Sequence, residues 1–408
     1  MKPMNTMRLA ALSLALLGGA EVAMASEVTI TAEFRPSSTN TRFTNTTPIS
    51  GFCNRWPNRP ECTGGAQSNN HSIDLGIEYI KKTFKSAPDP RDRFYVSLPG
   101  SKSVEVRNST SGEIHGLNFS MSKYSAHVDG AAPGITNPVY TTAVQGGCSY
   151  IIALGQSGGI GWVVVLWDVR NPENPTPCHS TSNTGAAGTE MDVVVKEFSI
   201  GYALQTPNPL AMRAGLYTGE VNYSVGENGE IALGNMVTNL NTNSLKIKFE
   251  LDVRHALEVH FPANSDKVIL EPPGGWMRWL NGGPAPEKLV RDLPFRITNT
   301  GPLSIYMECE HPTGRSCGIQ NTRNSEIAAL DVAVSLPGGI QLNNGQAVQR
   351  FPIPTGRARP LHVDAVTPVF NQPGALHFAT AAGEAAEMVK NPGDTYRGNV
   401  TVVFDALL

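Results

Sequence analysis

Asn391-Pro-Gly-Asp-Thr-Tyr-Arg-Gly-Asn-Val-Thr-Val-Val-Phe-Asp-Ala-Leu-Leu408 is the stretch on which the fold turns. A turn cluster, Asn391 to Asp394, precedes near-regular alternation. Val400, Val402, Phe404, Ala406 and Leu408 fall on one face, and Asn399, Thr401 and Asp405 on the other. A period of two is that of a half-buried β-strand. A strand this apolar on one face needs cover, because an open edge pairs with other chains. Either the fold supplies the cover, or pairing with another chain is the strand's purpose.

The rest of the chain follows the same grammar. Of 408 residues only 16% are charged, while Gly (40) and Pro (30) are abundant. Few charges, many turn formers and many short Val/Thr-rich runs predict an all-β sandwich architecture. Alternating runs recur at Glu27–Phe34, Phe94–Leu98, Ser103–Arg107, Leu117–Ser122, Asp192–Phe198, Gly219–Val225 and Leu245–Val253. Ser72–Phe84 is the exception: Ile73, Ile77, Ile80 and Phe84 stand at helical spacing and predict a helix. The polar step Arg254-His255 separates Leu245–Val253 from a second run, Leu257–Phe261. It marks a boundary between a first domain, 26–253, and a second, 256–408, with 254–255 as linker. The second carries about seven short strands, which suits an immunoglobulin-like sandwich. They are Lys267–Leu270, Leu293–Asn299, Ser304–Cys309, Ala328–Leu336, Gln346–Ile353, Ala375–Thr380 and Asn399–Asp405.

Residues 1–25 read as a signal peptide. Lys2 and Arg8 precede an apolar core, Leu9 to Leu17, and Ala23-Met-Ala25 forms a small-x-small cleavage site. An exported chain with six cysteines favours disulfides over metal or redox chemistry. Their spacing points to three local pairs, Cys53–Cys62, Cys148–Cys178 and Cys309–Cys317, though six cysteines allow other pairings. No Cys-x-x-Cys exists and the nine histidines are scattered, so no metal or other cofactor is expected. The net charge of −3 and the lack of a basic stripe argue against a nucleic-acid partner.

Catalysis finds little footing. Gly155-x-Ser157-x-Gly159 matches the serine-hydrolase elbow formally, but that turn needs a helix directly after the serine. An apolar β-type run, Trp162–Val169, follows instead. The expectation is a non-enzyme, with an exported serine hydrolase as a remote alternative. For binding, Arg55, Trp56 and Arg59 stand out inside the Pro-rich Cys53–Cys62 loop. Arginine suits anionic groups and tryptophan stacks on sugar faces. A stapled loop whose tryptophan packs inward is an equal reading of the same residues.

Asn391-Pro392 followed by Tyr396-Arg397-Gly398-Asn399 and an alternating strand resembles the ending of chaperone–usher pilus subunits. More narrowly, it resembles the alpha-class tip adhesins, the cable-pilus-type biogenesis initiator family that includes tip subunits of colonisation-factor fimbriae. Gln372-Pro-Gly-Ala-Leu376 and Leu257-Glu-Val-His-Phe-Pro262 are similar to segments of its pilin domain. The resemblance implies two tandem immunoglobulin-like sandwiches, the second incomplete and finished by donor-strand addition. It implies that Val400, Val402 and Phe404 edge the donor-strand groove. It implies a minor tip subunit that initiates assembly and adheres to host glycans or glycoproteins. Its partners would be a periplasmic pilus chaperone, an outer-membrane usher and the major pilin. It would travel through the periplasm to the cell surface, at the pilus tip. A non-adhesive minor pilin, initiating or capping the fibre, is the alternative.

Two features depart from the family. Asn371 stands where relatives carry a cysteine, leaving Cys317 as the partner for Cys309. The arginine-bearing surface that relatives use for receptor binding does not align with this sequence, so no binding residues carry over. Glu27–Phe34 admits two roles, first strand of the adhesin domain or donor strand for a neighbouring subunit.

Overall fold

In the computed structural model, residues 25–37, 39–63, 71–131, 138–140, 143–156, 161–181 and 185–406 are described. The leader segment 1–24, Ser157 and Leu407–Leu408 lie outside them. Strands of three or more residues are numbered. The first half holds β1 (Ser26–Phe34), β2 (His71–Asp74), β3 (Tyr79–Phe84), β4 (Phe94–Val96), β5 (Lys102–Asn108) and β6 (Ile114–Gly130). It continues with β7 (Cys148–Gln156), β8 (Trp162–Val169), β9 (Cys178–Ser180), β10 (Glu190–Gln205), β11 (Gly215–Gly226) and β12 (Ser244–Val253). The second half holds β13 (Leu257–His260), β14 (Val290–Asn299), β15 (Leu303–Cys309), β16 (Ser316–Asn321) and β17 (Ile327–Ser335). It ends with β18 (Ile340–Leu342), β19 (Leu361–Ala365), β20 (Val369–Thr380) and β21 (Val400–Ala406). The three α-helices among the described residues are single turns, so the chain is all-β as its composition predicts.

In the first half one large sheet runs β3-β10-β6-β5-β11-β12-β1, with β8 on β6, β7 on β8 and β2 on β10. Phe119 on β6 meets Phe249 on β12 edge to face at 5.4 Å, although the two strands are not neighbours in that order. The sheet therefore curls over its own apolar face and encloses one core. Alternation decides which residues enter it: Ile30, Ala32 and Phe34 of β1, and Leu245, Ile247, Phe249, Leu251 and Val253 of β12. β1 pairs parallel with β12 from Ser26↔Leu245 to Phe34↔Val253. Its hydrogen bonds on that side are thus made within its own half.

The helix expected over Ser72–Phe84 is replaced by β2 and β3, joined through Gly76 at φ 63. Apart from Ser72, the buried residues are Ile73, Leu75, Ile77, Tyr79, Lys81 and Thr83, a period of two. Lys81 enters the core because Arg91 and Asn235 offer their backbone carbonyls to its ammonium at 3.1 and 2.6 Å. Burial lowers its pKa to about 8.

The second half is two packed sheets, β13-β14-β20-β17-β16 and β18-β19-β15-β21, around a separate core. The strand expected at Lys267–Leu270 does not form. Val268 and Leu270 lean on the core without strand pairing, and Glu271 alone bridges Val290. Of Gln346–Ile353, Phe351–Pro352 forms a two-residue strand against β17. Among the described residues, strands up to Val253 pair only with one another, as do those from Leu257 onward. Between them Arg254 donates its backbone N–H to the Phe34 carbonyl (3.1 Å), and Ala256 donates to Thr300 Oγ1 (2.8 Å). His255 Nε2 meets the Met212 carbonyl at 2.7 Å, with its ring edge-on to Phe34 at 5.7 Å.

Disulfides join Cys53 to Cys62, Cys148 to Cys178 and Cys309 to Cys317. The second ties β7 to β9 and the third ties the two sheets of the second half, β15 to β16.

Candidate functional site: an open edge and a stapled loop

β21 forms because Val400, Val402, Phe404 and Ala406 face the core while Thr401 and Asp405 face out. It pairs antiparallel with β15, matching Val400 to Cys309, Val402 to Met307, Phe404 to Ile305 and Ala406 to Leu303. The partners are not equally covered. Met307 is 2% exposed and Ile305 and Leu303 are 0%, whereas Val400, Val402 and Phe404 are only half-buried. The difference is position: β15 has strands on both sides, and β21 is the outer strand of its sheet. Among the described residues nothing pairs with its far edge.

The other sheet also ends openly, at β13. Phe295 of β14 spans the gap between the two edges. It packs on Phe404 at 5.5 Å and on Phe261, just beyond β13, at 5.4 Å. Phe295 is 2% exposed and Phe261 40%. At the start of β21 the edge opens into a cleft of 900 Å³ lined by Val268, Leu270, Trp276, Trp279, Tyr396 and Asn399 among others. Trp276 and Trp279 meet edge to face at 6.0 Å on its wall. The arrangement presents backbone hydrogen-bonding groups along β21 beside a row of half-covered apolar side chains. Chemically it suits an extended segment with apolar residues at alternate positions. Sequence reading missed Phe261, Phe295 and the two tryptophans. The run Trp276-Met-Arg-Trp-Leu280, with Met277 and Leu280 mostly exposed, was the available signal.

The Cys53–Cys62 loop lies on the outer face of the first half's sheet. Phe52 and Cys53, on the single-turn α1 (Phe52–Arg55), bury against Leu166 of β8, and Trp56 packs half-buried on the same cluster. Gly51 enters the turn at φ 68, with its missing Cβ only 2.4 Å from Ser199 Cβ, so no other residue fits without displacement. Arg55 Nη2 bonds Glu197 Oε2 at 3.1 Å, and Arg59 Nε bonds Glu61 Oε2 at 3.1 Å. The three binding candidates therefore share one loop, with both arginines already neutralised. Ser157 lies outside the described residues, but β7 and β8 on either side pair antiparallel. The chain after Gly161 is a strand, unlike the helix that a hydrolase elbow requires. Among the described residues no group of three or more His, Cys, Asp or Glu could hold a metal ion, and no helix is long and apolar enough to cross a membrane.

No protein-family model matches the chain, and no curated protein matches it. Two solved structures align along most of its length. One is a chaperone–tip adhesin complex of CFA/I fimbriae biogenesis, at 10% identity over 94% of this chain and 97% of that one, with a TM-score of 0.25. The other is the chaperone–tip adhesion subunit pre-assembly complex of archaic chaperone–usher Csu pili of Acinetobacter baumannii. It is 10% identical over 93% of this chain and 98% of that one, with a TM-score of 0.21.

Proposed function

We propose that the chain is a pilus subunit whose second domain, 256–408, is completed by a β-strand from another protein chain. The observation that carries this is the contrast across one ladder: Ile305 and Met307 are buried, while Phe404 and Val402 opposite them are half-covered at an edge that no strand pairs with among the described residues. Strand addition would bury that row and satisfy β21's free backbone groups together. The Asn391–Val400 ending, which resembles chaperone–usher subunits, supports the same reading. In that pathway a periplasmic chaperone lends the strand first, and at the usher the N-terminal extension of the next subunit, a major pilin, replaces it. The first domain, 26–253, joined through 254–255, then acts as the adhesin of a tip subunit that initiates the fibre and binds host glycans. β1 is read as a strand of that domain and not as a donor, because its full length is engaged by β12.

A second reading, a minor pilin with no receptor of its own, is favoured by the ion pairs that occupy Arg55 and Arg59. Two measurements separate these readings. A synthetic strand peptide with alternating apolar residues should raise the melting temperature of the chain; no shift would refute strand completion. Cells that assemble fibres without residues 26–253 should lose adherence, and unchanged adherence would favour the structural subunit.

A further inference from the structure

The outer face of the second half's larger sheet carries a cluster that strand completion does not use. On β20, Leu376 and Phe378 point into the core, so His377 between them points out. Asp292 of β14 stands directly opposite His377, on the same face. On β17, Val332 and Val334 point in, so Ser335 points out, one diagonal step from His377. Neighbouring strands thus bring an aspartate, a histidine and a serine together from distant points of the chain.

Distances tie them in order. His377 Nδ1 lies 2.8 Å from Asp292 Oδ1, and His377 Nε2 lies 2.8 Å from Ser335 Oγ. Arg350 closes the ring: its guanidinium bonds Asp292 Oδ2 at 2.9 Å, and its backbone N–H donates to Ser335 Oγ at 2.9 Å. The network fixes the protons. Ionised Asp292 only accepts, so His377 Nδ1 carries a hydrogen and Nε2 is left to accept. Ser335 takes the Arg350 N–H on a lone pair and gives its own hydrogen to Nε2. The hydrogen bond with His377, helped by the Arg350 charge, holds the Asp292 carboxyl below its ordinary range. The His377 side chain is 11% exposed and Ser335 is half-buried. On the same face Ala375 lies opposite Ser335 and Ala333 opposite His377, so the cross-strand neighbours of both are small. Arg350 itself sits at φ 46, a conformation that costs energy for a residue with a side chain and that collects at functional sites.

We propose that Ser335 is a base-activated nucleophile that hydrolyses small, unhindered carboxylic esters, with His377 as general base and Asp292 as the positioning residue. Such a constellation is recognised by geometry and roles, not by order in the sequence. Ser335 Oγ attacks the ester carbonyl carbon while its proton passes to His377 Nε2. Asp292 faces the imidazolium that forms. The Arg350 N–H is a backbone donor beside the reacting oxygen, placed to meet the negative charge that develops on the carbonyl oxygen. His377 returns the proton to the leaving alcohol as its C–O bond breaks. Water, giving its proton to His377, then attacks the acyl-serine; the acid leaves and Ser335 recovers its hydrogen. The small neighbours Ala333 and Ala375 suit a short acyl group such as acetyl. This activity is separate from the pilus role and from the Gly155–Gly159 motif, and it departs from the non-enzymatic expectation.

The test treats the full chain with a fluorophosphonate probe and, separately, with p-nitrophenyl acetate. The probe should attach to Ser335, located by peptide mapping, and the ester should be hydrolysed. Ser335→Ala should abolish both. His377→Ala should slow both at least about 100-fold, with added imidazole restoring part of the ester rate. Asp292→Asn should lower kcat at least about tenfold with KM unchanged. Ser103→Ala, at an exposed serine on β5, should stay within about twofold. Melting temperatures check that each variant is folded; should His377→Ala fail to fold, Ser335→Ala and Asp292→Asn decide. A chain whose Ser335 takes no probe overturns the proposal, as does ester hydrolysis that survives Ser335→Ala. Labelling of Ser335 at an unchanged rate in folded His377→Ala overturns the base. Strand completion and adhesion are measured by other readouts and stand apart from each of these results.

Discussion

Phe404→Ala is the most informative perturbation, because its cost should depend on whether a second chain is present. Truncating a fully buried phenylalanine costs about 3–5 kcal/mol. In the isolated chain Phe404 is half-buried, touching Phe295 at 5.5 Å with its strand's far edge open, so the cost there should be about half, ~1.5–2.5 kcal/mol. Once a strand lies along β21 the ring is enclosed and the full cost applies. The difference, ~1.5–2.5 kcal/mol, must appear as weaker strand affinity, about 10- to 70-fold. The assay is titration of wild-type and variant chains with a synthetic strand peptide carrying apolar residues at alternate positions, read by thermal shift and by peptide fluorescence. Val332→Ala is the control. Val332 is 2% exposed on β17, between β16 and β20, so its cost should be the same with and without peptide. An affinity unchanged by Phe404→Ala would refute the argument that the added strand seats on this edge.

Three further expectations follow from the geometry. Gly51→Ala should destabilise the first half by about 2–3 kcal/mol, since a Cβ there meets Ser199 and the backbone sits at φ 68; chemical denaturation measures it. Replacing both Cys53 and Cys62 by Ser should cost roughly 2–3 kcal/mol and raise protease cleavage within the loop while β21's peptide affinity stays the same. Burial lowers the His255 pKa, offset in part by the Met212 and Thr300 backbone. The unfolded chain then takes up the proton first, so stability should fall as pH drops below about 6.5, and His255→Gln should flatten that slope in melting curves.

Alternation made the strands legible wherever core positions were apolar. β1, β12 and β21 read correctly because every inward residue is Val, Ile, Leu, Phe or Ala. Residues 72–84 failed for the opposite reason. The inward Lys81 and Thr83 are polar, and the outward Ile80 and Phe84 are apolar, so the visible hydrophobics fell at helical spacing by accident. Lys81 is tolerated only through carbonyls 10 and 154 residues away in sequence, which no local pattern contains. The open edge was half legible: the apolar row on β21 is in the sequence, but its poor cover depends on what neighbours it.

The parallel pairing of β1 with β12 has a mechanical consequence. Tension arriving from the second half enters the first at Val253, the last residue of β12, and pulls that strand along its own axis. β12 is held by β1 on one side over nine residue pairs and by β11 on the other from Ser244 to Val253. Both ladders are loaded in shear, so their hydrogen bonds resist together and do not unzip one at a time. The strand that anchors the junction is thus held against peeling from both sides.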